Sequence, residues 1–157
     1  KGIDLSFLFQ AGLGRDVALT GVYSGGIMDN TQMTKPFYHG GNSPKYLVEN
    51  SWREDNTNAE FPRLSIVQAS SNNAYSSTFW YRSGDYLRLK NLQIGYTFPQ
   101  KWMSRIGIDR LRIYFEGQNL WTVSELTKFN IDPEQPGVSN GYYPQQRIFS
   151  FGVNLAF

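Results

Sequence analysis

Apolar and polar residues alternate regularly in four separate segments of this chain. Successive side chains of a β-strand point to opposite faces, so a period of two predicts strands with two different faces. Each segment has roughly the 9–11 residues of a tilted strand that crosses a bilayer. The predicted strands cover residues 3–11, 86–98, 111–122 and 147–157. The chain is therefore expected to be all-β.

The two faces of the predicted strands differ in chemistry, which indicates two different surroundings. We predict that one face meets lipid, through Phe7, Phe9, Ile94, Tyr96, Ile113, Phe115, Phe149, Phe151, Val153 and Leu155. We predict that the other face meets a wet lumen, through Asp4, Gln10, Arg112, Glu116, Gln118 and Asn154. In the second strand the alternation changes parity, which predicts a β-bulge near Lys90 and Asn91.

A soluble β-sandwich with one buried face is the alternative explanation of the alternation. Asp4, Arg112 and Glu116 would be costly in a dry sandwich core but are natural beside water. No apolar run approaches the roughly 18 residues of a spanning helix. The mean hydropathy of −0.45 is compatible with a membrane barrel, because lumen-facing residues lower the average. The pattern favours strands of an antiparallel transmembrane β-barrel.

The connections between the predicted strands are of two kinds. Residues 99–109 are short enough for one helical turn that ends at Gly107. Residues 12–85 and 123–146 are much longer, and 43–52 within the first of them predicts a short helix. Outer-membrane barrels have short periplasmic turns and long extracellular loops. The two long connections are therefore predicted to be extracellular.

Nothing in the sequence indicates a catalytic or metal site. There is no Cys, and the single His, His39, has no acidic cluster beside it in the sequence. The carboxylates of Glu54, Asp55, Asp132 and Glu134 lack the spacing of a calcium loop and are interpreted as solvated loop charge. A net charge of +2 gives no reason to expect nucleic acid. We expect no enzyme activity, no metal and no cofactor.

Aromatic residues in the loops and at the strand ends have two interpretations. They either stack on sugar rings or dock a lipoprotein outside, or they form an aromatic girdle at the membrane interface. The residues concerned are Trp52, Phe79, Trp80, Tyr81, Trp121, Tyr142 and Tyr143. The girdle is favoured for Trp121, Tyr142 and Tyr143, and Trp102 is also expected to be interfacial. Trp52 is expected to be packed within a folded loop.

Several segments, taken in order, resemble one protein family. YLRLKNLQIGYTFP (86–99), LRIYFEGQNLWTVS (111–124) and YPQQRIFSFGVNLAF (143–157) look like the closing strands of SusC-like (SusC/RagA) TonB-dependent outer-membrane transporters of Bacteroidetes. NAEFPRLS (58–65) and FWYRSGDYLRLKN (79–91) are similar to the stretch that precedes those strands. The resemblance covers residues from about 50 to the end and extends to 2–14.

The resemblance implies that residues 1–157 are the C-terminal part of a longer barrel, without its plug domain. Such a barrel has about 22 strands, of which this chain would supply about four. Because the chain opens at Lys1 directly before a predicted strand, we expect that it was cut from a longer protein. Phe157 resembles the terminal aromatic residue that acts as an assembly signal for outer-membrane barrels.

The function implied by the resemblance is active import of nutrients across the outer membrane. The expected substrates are glycans or oligosaccharides in the first place and peptides in the second. The expected partners are a SusD-like surface lipoprotein, outer-membrane lipid, and TonB, which would act through the missing N-terminal part. The competing hypothesis is a structural or adhesive outer-membrane surface β-protein without transport activity.

Overall fold

The computed structural model describes residues 2–19, 44–64, 77–136 and 145–157. Its contacts divide the chain into two compact units. The sheet unit comprises the described residues within Lys1–Gly12, Tyr86–Val123 and Pro144–Phe157. The loop unit comprises the described residues within Leu13–Asp85 and Ser124–Tyr143.

Strands dominate the described residues, and the helices are short. In chain order the strands are β1 (Ile3–Gly12), β2 (Asp16–Ala18), β3 (Tyr81–Ser83), β4 (Tyr86–Thr97), β5 (Arg110–Ser124) and β6 (Ile148–Ala156). The helices are α1 (Lys45–Glu49), α2 (Gln100–Met103) and 3₁₀ turns at Thr78–Trp80, Ser104–Ile106 and Glu125–Phe129. The expected all-β class is confirmed. No helix in the described ranges is both long enough and apolar enough to cross a membrane.

The sheet unit is a single four-stranded sheet with the strand order β1-β4-β5-β6. β1 pairs antiparallel with β4, and β5 pairs antiparallel with β6. The four strands begin and end within two residues of the predicted ranges. The periodicity of the sequence is therefore the periodicity of one sheet, whose two faces differ in chemistry.

A β-bulge in β4 explains why its alternation changes parity. Leu8 of β1 lies opposite Asn91, and the next residue, Phe9, lies opposite Leu89. Lys90 is therefore the extra residue of the bulge, at the predicted position. The bulge keeps Leu89 on the same face as the apolar residues that follow it in β4.

The short connection between β4 and β5 is built as predicted. Pro99 precedes α2, and a 3₁₀ turn carries the chain to Gly107, whose φ of 72° is left-handed. Glycine adopts this conformation without a steric penalty, and it ends the helical segment. The backbone N–H of Ile108 then donates to the carbonyl of Met103 at 3.1 Å, which closes the turn.

The loop unit is folded around its own apolar core. β2 pairs antiparallel with β3, and α1 lies inside the predicted 43–52 helical segment and directs Leu47 into the core. Residues of both long connections contribute to this core, which contains Val17, Leu19, Leu47, Phe61, Trp80, Leu126, Phe129 and Ile131. Burying such side chains stabilises a structure by about 1.5–3 kcal/mol each relative to leaving them exposed. The long connections are therefore folded structures where they are described.

Candidate functional site

One face of the sheet unit is apolar and open. The ten residues predicted to meet lipid lie on the four strands, where Ile113 faces Val153 and Phe115 faces Phe151. Ile94 faces Leu5, a further apolar residue of β1. A shallow groove of about 640 Å³ on this face is lined by residues from all four strands. Phe151 is 82% exposed. Apolar patches that exceed a few hundred Å² are rare on soluble monomers and mark surfaces that meet a partner or a membrane.

Aromatic rings extend along this open face. The Phe115 ring lies 6.2 Å from that of Phe149 and 5.2 Å from that of Phe151. Near the other end, the Phe9 ring lies 6.1 Å from that of Trp121, so Trp121 belongs to the same face. An aromatic ring near a strand end is the arrangement expected of an interfacial girdle. The girdle role of Trp121 stays a prediction.

The opposite face of the sheet is polar and internally paired. The Arg112 guanidinium on β5 donates to the Asp4 carboxylate on β1 through Nε at 3.0 Å and Nη2 at 2.5 Å. Between these strands lies β4, and the ion pair crosses it over Gly95. A Cβ atom on Gly95 would meet both the guanidinium and the carboxylate. The missing side chain therefore makes the crossing possible.

Further hydrogen bonds continue the polar face along the strands. Glu116 accepts from Asn91 and Gln118, each at 3.1 Å. Gln10 donates to the Tyr86 hydroxyl at 3.0 Å. Asn154 lies opposite Arg112 in the β5–β6 register. The six residues predicted to meet a lumen thus lie on the strands of one polar face, and the lumen itself stays a prediction.

Arg88 is a polar-face residue that the sequence did not single out. Its side chain is 3% exposed, and its Nε donates to the Thr122 hydroxyl at 2.8 Å. Burial of a guanidinium requires hydrogen-bonding partners. No local pattern could have identified it, because its partner is 34 residues away on another strand.

The loop unit contains a cluster of charged residues beside its core. The Glu60 carboxylate accepts from the Tyr46 hydroxyl at 2.7 Å, from Lys128 at 3.2 Å and from Arg82 at 3.3 Å. Glu125 forms ion pairs with Lys128 at 3.5 Å and with Arg82 at 3.8 Å. These five residues come from both long connections, so the cluster joins the two segments.

Within the cluster, the pKa of the acid Glu60 is lowered, and the pKa values of Tyr46 and Lys128, which donate hydrogen bonds to it, are raised. Burial raises the pKa of Glu60, but hydrogen bonds from Tyr46 and Lys128 outweigh it, and the net pKa is lowered. The hydrogen bond to Glu60 raises the pKa of Tyr46, and burial adds to it. Burial lowers the pKa of Lys128, but the hydrogen bond to Glu60 outweighs it, and the net pKa is raised.

The loop aromatics are divided between the core and the surface. Trp80 is buried in the core, whereas Phe79 and Tyr81 beside it are exposed. Trp52 lies within the folded loop unit, and it is 36% exposed. It lines two clefts, of about 420 and 410 Å³.

The remaining predicted residues have simple positions. Trp102 is exposed in the short connection, and Phe157 follows β6 and is 84% exposed. The assembly role of Phe157 stays a prediction. His39, Tyr142 and Tyr143 lie outside the described residues. Among the residues that are described, no three His, Cys, Asp or Glu side chains form a group that could hold a metal ion.

Comparison with known proteins identifies relatives of one kind. No protein-family model matches the chain. The TonB-dependent receptor P3 of Formosa agariphila is 29% identical over the whole chain, which covers 15% of that receptor. The TonB-dependent receptor SusC of Bacteroides thetaiotaomicron is 30% identical over 65% of the chain, which covers 10% of SusC. The chain thus spans no more than about a sixth of the curated relatives it matches.

Solved structures of a transporter agree with these relatives. The structure of the RagAB peptide transporter superposes on the whole chain with a TM-score of 0.68 and 28% identity, over 16% of its own chain. The RagAB peptide importer in its open-open state gives a TM-score of 0.65 and 29% identity over the same shares. The chain is similar to the C-terminal part of these barrels, which confirms the resemblance seen in the sequence. TonB-dependent receptors are not enzymes, and the expectation of a non-catalytic protein is confirmed by these relatives.

Proposed function

We propose that this chain is a wall segment of an outer-membrane, TonB-dependent importer of nutrients. The observation that carries the proposal is one sheet with an exposed apolar face on all four strands and a hydrogen-bonded polar face behind it. In a bilayer every backbone polar group must be satisfied, so sheets cross membranes as closed barrels. Apolar-out and polar-in alternation is the pattern of their walls.

The open apolar face argues against a soluble sandwich. In a sandwich a second sheet packs about 10 Å away and buries the apolar side chains. Within the described ranges, the only other sheet is the short β2–β3 pair, which belongs to the loop unit. Large hydrophobic side chains on the face that a second sheet would cover are exposed, and Phe151 is 82% exposed. The alternation therefore supports contact of this apolar face with membrane lipid.

The partners and substrate of the importer are part of the same proposal. A SusD-like surface lipoprotein would dock on the long loops and deliver the substrate, and TonB would act through the N-terminal part. The proposed substrates are oligosaccharides, with peptides as the second class, which the similarity to the RagAB peptide importer supports. The second candidate function is an adhesive or structural surface protein, which the exposed loop aromatics would also suit.

Uptake by cells separates the importer from the adhesin. Cells that carry the full parent gene are expected to accumulate labelled oligosaccharide or peptide. A parent-gene deletion and a TonB deletion should both abolish accumulation. The opposite result would be surface binding without any accumulation. If that binding is lost with the parent gene but is unaffected by loss of TonB, it would contradict import and support adhesion.

A further inference from the structure

Two neighbouring clefts on the loop unit share a wall formed by Trp52 and Arg63. The first, of about 420 Å³, is also lined by Val48, Ser51, Arg53, Glu54 and Leu64. The second, of about 410 Å³, is also lined by Ala59, Glu60, Phe61, Pro62 and Phe79. Each has the volume of a small-molecule pocket, which is about 300–1,000 Å³. Two such clefts side by side suit two consecutive units of a chain-like ligand.

The shared wall is held in place by the core of the loop unit. The Trp52 N–H donates to the Phe61 carbonyl at 2.9 Å, and the Phe61 N–H donates to the Asn50 carbonyl at 2.9 Å. Phe61 is buried, and its ring stacks on Trp80 with centroids 6.2 Å apart. Trp52 and Arg63 are thus attached to a fixed backbone, which lowers the entropy lost when a ligand binds.

Among the cationic side chains that line the clefts, Arg63 has no ion-pair partner among the described residues. Arg53 is paired with Asp55 at 3.2 Å, whereas no described carboxylate lies within ion-pair distance of Arg63. The negative charge of Glu60 is offset by Lys128 and Arg82. A guanidinium binds carboxylate and sulfate oxygens with two parallel hydrogen bonds. The wall therefore presents a site for an anionic group.

The rings beside Arg63 select the shape of the ligand. Trp52 is 36% exposed and Phe79 is 44% exposed, so both offer flat apolar surface. A pyranose ring has a C–H face that packs on such a surface, while its hydroxyls reach acceptors such as Glu54. An extended peptide would instead add to a strand edge, and no residue of β1–β6 lines either cleft.

We propose that the paired clefts bind an acidic oligosaccharide. One sugar unit lies in each cleft against Trp52 and Phe79, and Arg63 binds the carboxylate or sulfate group of the sugar. This inference rests on the proposed function, because it names the class of glycan that the importer would capture at its loops. It assigns to Trp52 and Arg63 a role in recognition of that glycan.

Binding to the full parent transporter tests the proposal. The probes are tetragalacturonate, maltotetraose as the neutral saccharide of equal length, and tetraglutamate as the acidic peptide, measured by calorimetry. We expect tetragalacturonate to bind best. Arg63→Gln and Trp52→Ala should each weaken its binding at least about tenfold, since a charge-assisted contact or a stacked ring is lost. Arg63→Gln should leave any binding of maltotetraose unchanged.

The short connection provides matched control variants. Trp102→Ala and Arg105→Gln change an exposed Trp and an exposed Arg outside the clefts and should leave binding unchanged. Equal affinities of wild type and both cleft variants for tetragalacturonate would overturn the proposal, as would preferred binding of tetraglutamate. If cells still accumulate another nutrient through TonB, the importer proposal stands although the cleft proposal fails. If accumulation is absent, the importer proposal fails and the binding result still decides the clefts.

Discussion

Glu60 is the residue on which the charged cluster of the loop unit depends. Its carboxylate accepts from three donors, and its pKa lies below the ordinary value of 4.5. A lowered pKa means that the ionised carboxylate stabilises the folded loop unit above about pH 4.5. This contribution is lost as the pH falls through the folded-state pKa. The pKa values of Lys128 and Tyr46 are raised, so the protonated forms of these side chains stabilise the folded loop unit. This stabilisation is lost only in alkali, as the pH rises through their folded-state pKa values.

Replacement of Glu60 by Gln should destabilise the loop unit at neutral pH. The loss of charge-assisted hydrogen bonds should cost about 1–2 kcal/mol. We expect faster amide hydrogen exchange in the loop unit of the parent transporter at pH 7, and convergence with wild type below the folded-state pKa. Glu54→Gln, at an exposed carboxylate, is the control and should change nothing. A difference that persists undiminished in acid would contradict the ionic origin of the effect.

Phe151 and its neighbour Ser150 report on the two faces of β6. Phe151 lies opposite Phe115 on the apolar face, and Ser150 lies opposite Glu116 on the polar face. Phe151→Arg should lower the free energy of unfolding of the parent barrel in lipid vesicles by about 2–4 kcal/mol, because it places a charge in hydrocarbon. Ser150→Arg should have a much smaller effect. Equal losses in a denaturant titration would show that the faces are assigned wrongly.

Among the strands, β4 lies between β1 and β5, and the Asp4–Arg112 ion pair connects these two strands across it. Gly95→Ala should disrupt the Asp4–Arg112 ion pair, because the new methyl group would occupy the space of both side chains. Overpacking of this kind costs typically about 1–3 kcal/mol. The measurement is the free energy of unfolding of the parent barrel. Ser6→Ala, on the same face of β1, is the control and should have little effect.

A double-mutant cycle separates this crossing from a general effect on the strand. In the Asp4→Ala background the same Gly95→Ala change should cost less, since the obstructing carboxylate is gone. An unchanged cost would place the effect of Gly95 in the strand backbone. The loss would then not come from obstruction of the Asp4 carboxylate.

At the scale of the whole chain, the sheet unit and the loop unit differ in how their apolar residues are covered. The loop unit buries its apolar side chains in its own core, whereas the sheet unit leaves an apolar face exposed. Among the described strands, β1 and β6 each pair with a neighbour on one side only. In an isolated 157-residue chain in detergent-free buffer, the sheet unit is therefore expected to show no cooperative melt. Calorimetry and circular dichroism on heating test this. A single sharp transition would show that the sheet is stable without lipid.

Much of the sheet unit could be read from the sequence, because strand alternation is a local property. Side chains at i and i+2 share a face whatever the tertiary structure, so Phe149, Phe151 and Val153 identify one face of β6 without a partner. The bulge at Lys90 was readable for the same reason, as a change of parity. The helical turn that ends at Gly107 was readable because only glycine adopts a left-handed φ at no steric cost.

The core of the loop unit and the contacts across the sheet could not be predicted from the sequence. The Glu60 cluster joins residues 14 to 68 positions apart, and the Asp4–Arg112 pair spans 108 positions. No periodicity relates such residues, because loop segments carry no fixed repeat and the alternation of a strand relates only residues of that strand. Trp80 is part of the core of the loop unit, whereas Trp52 is left at the surface. Sequence determined which side chains share a face, and the fold determined which distant side chains meet.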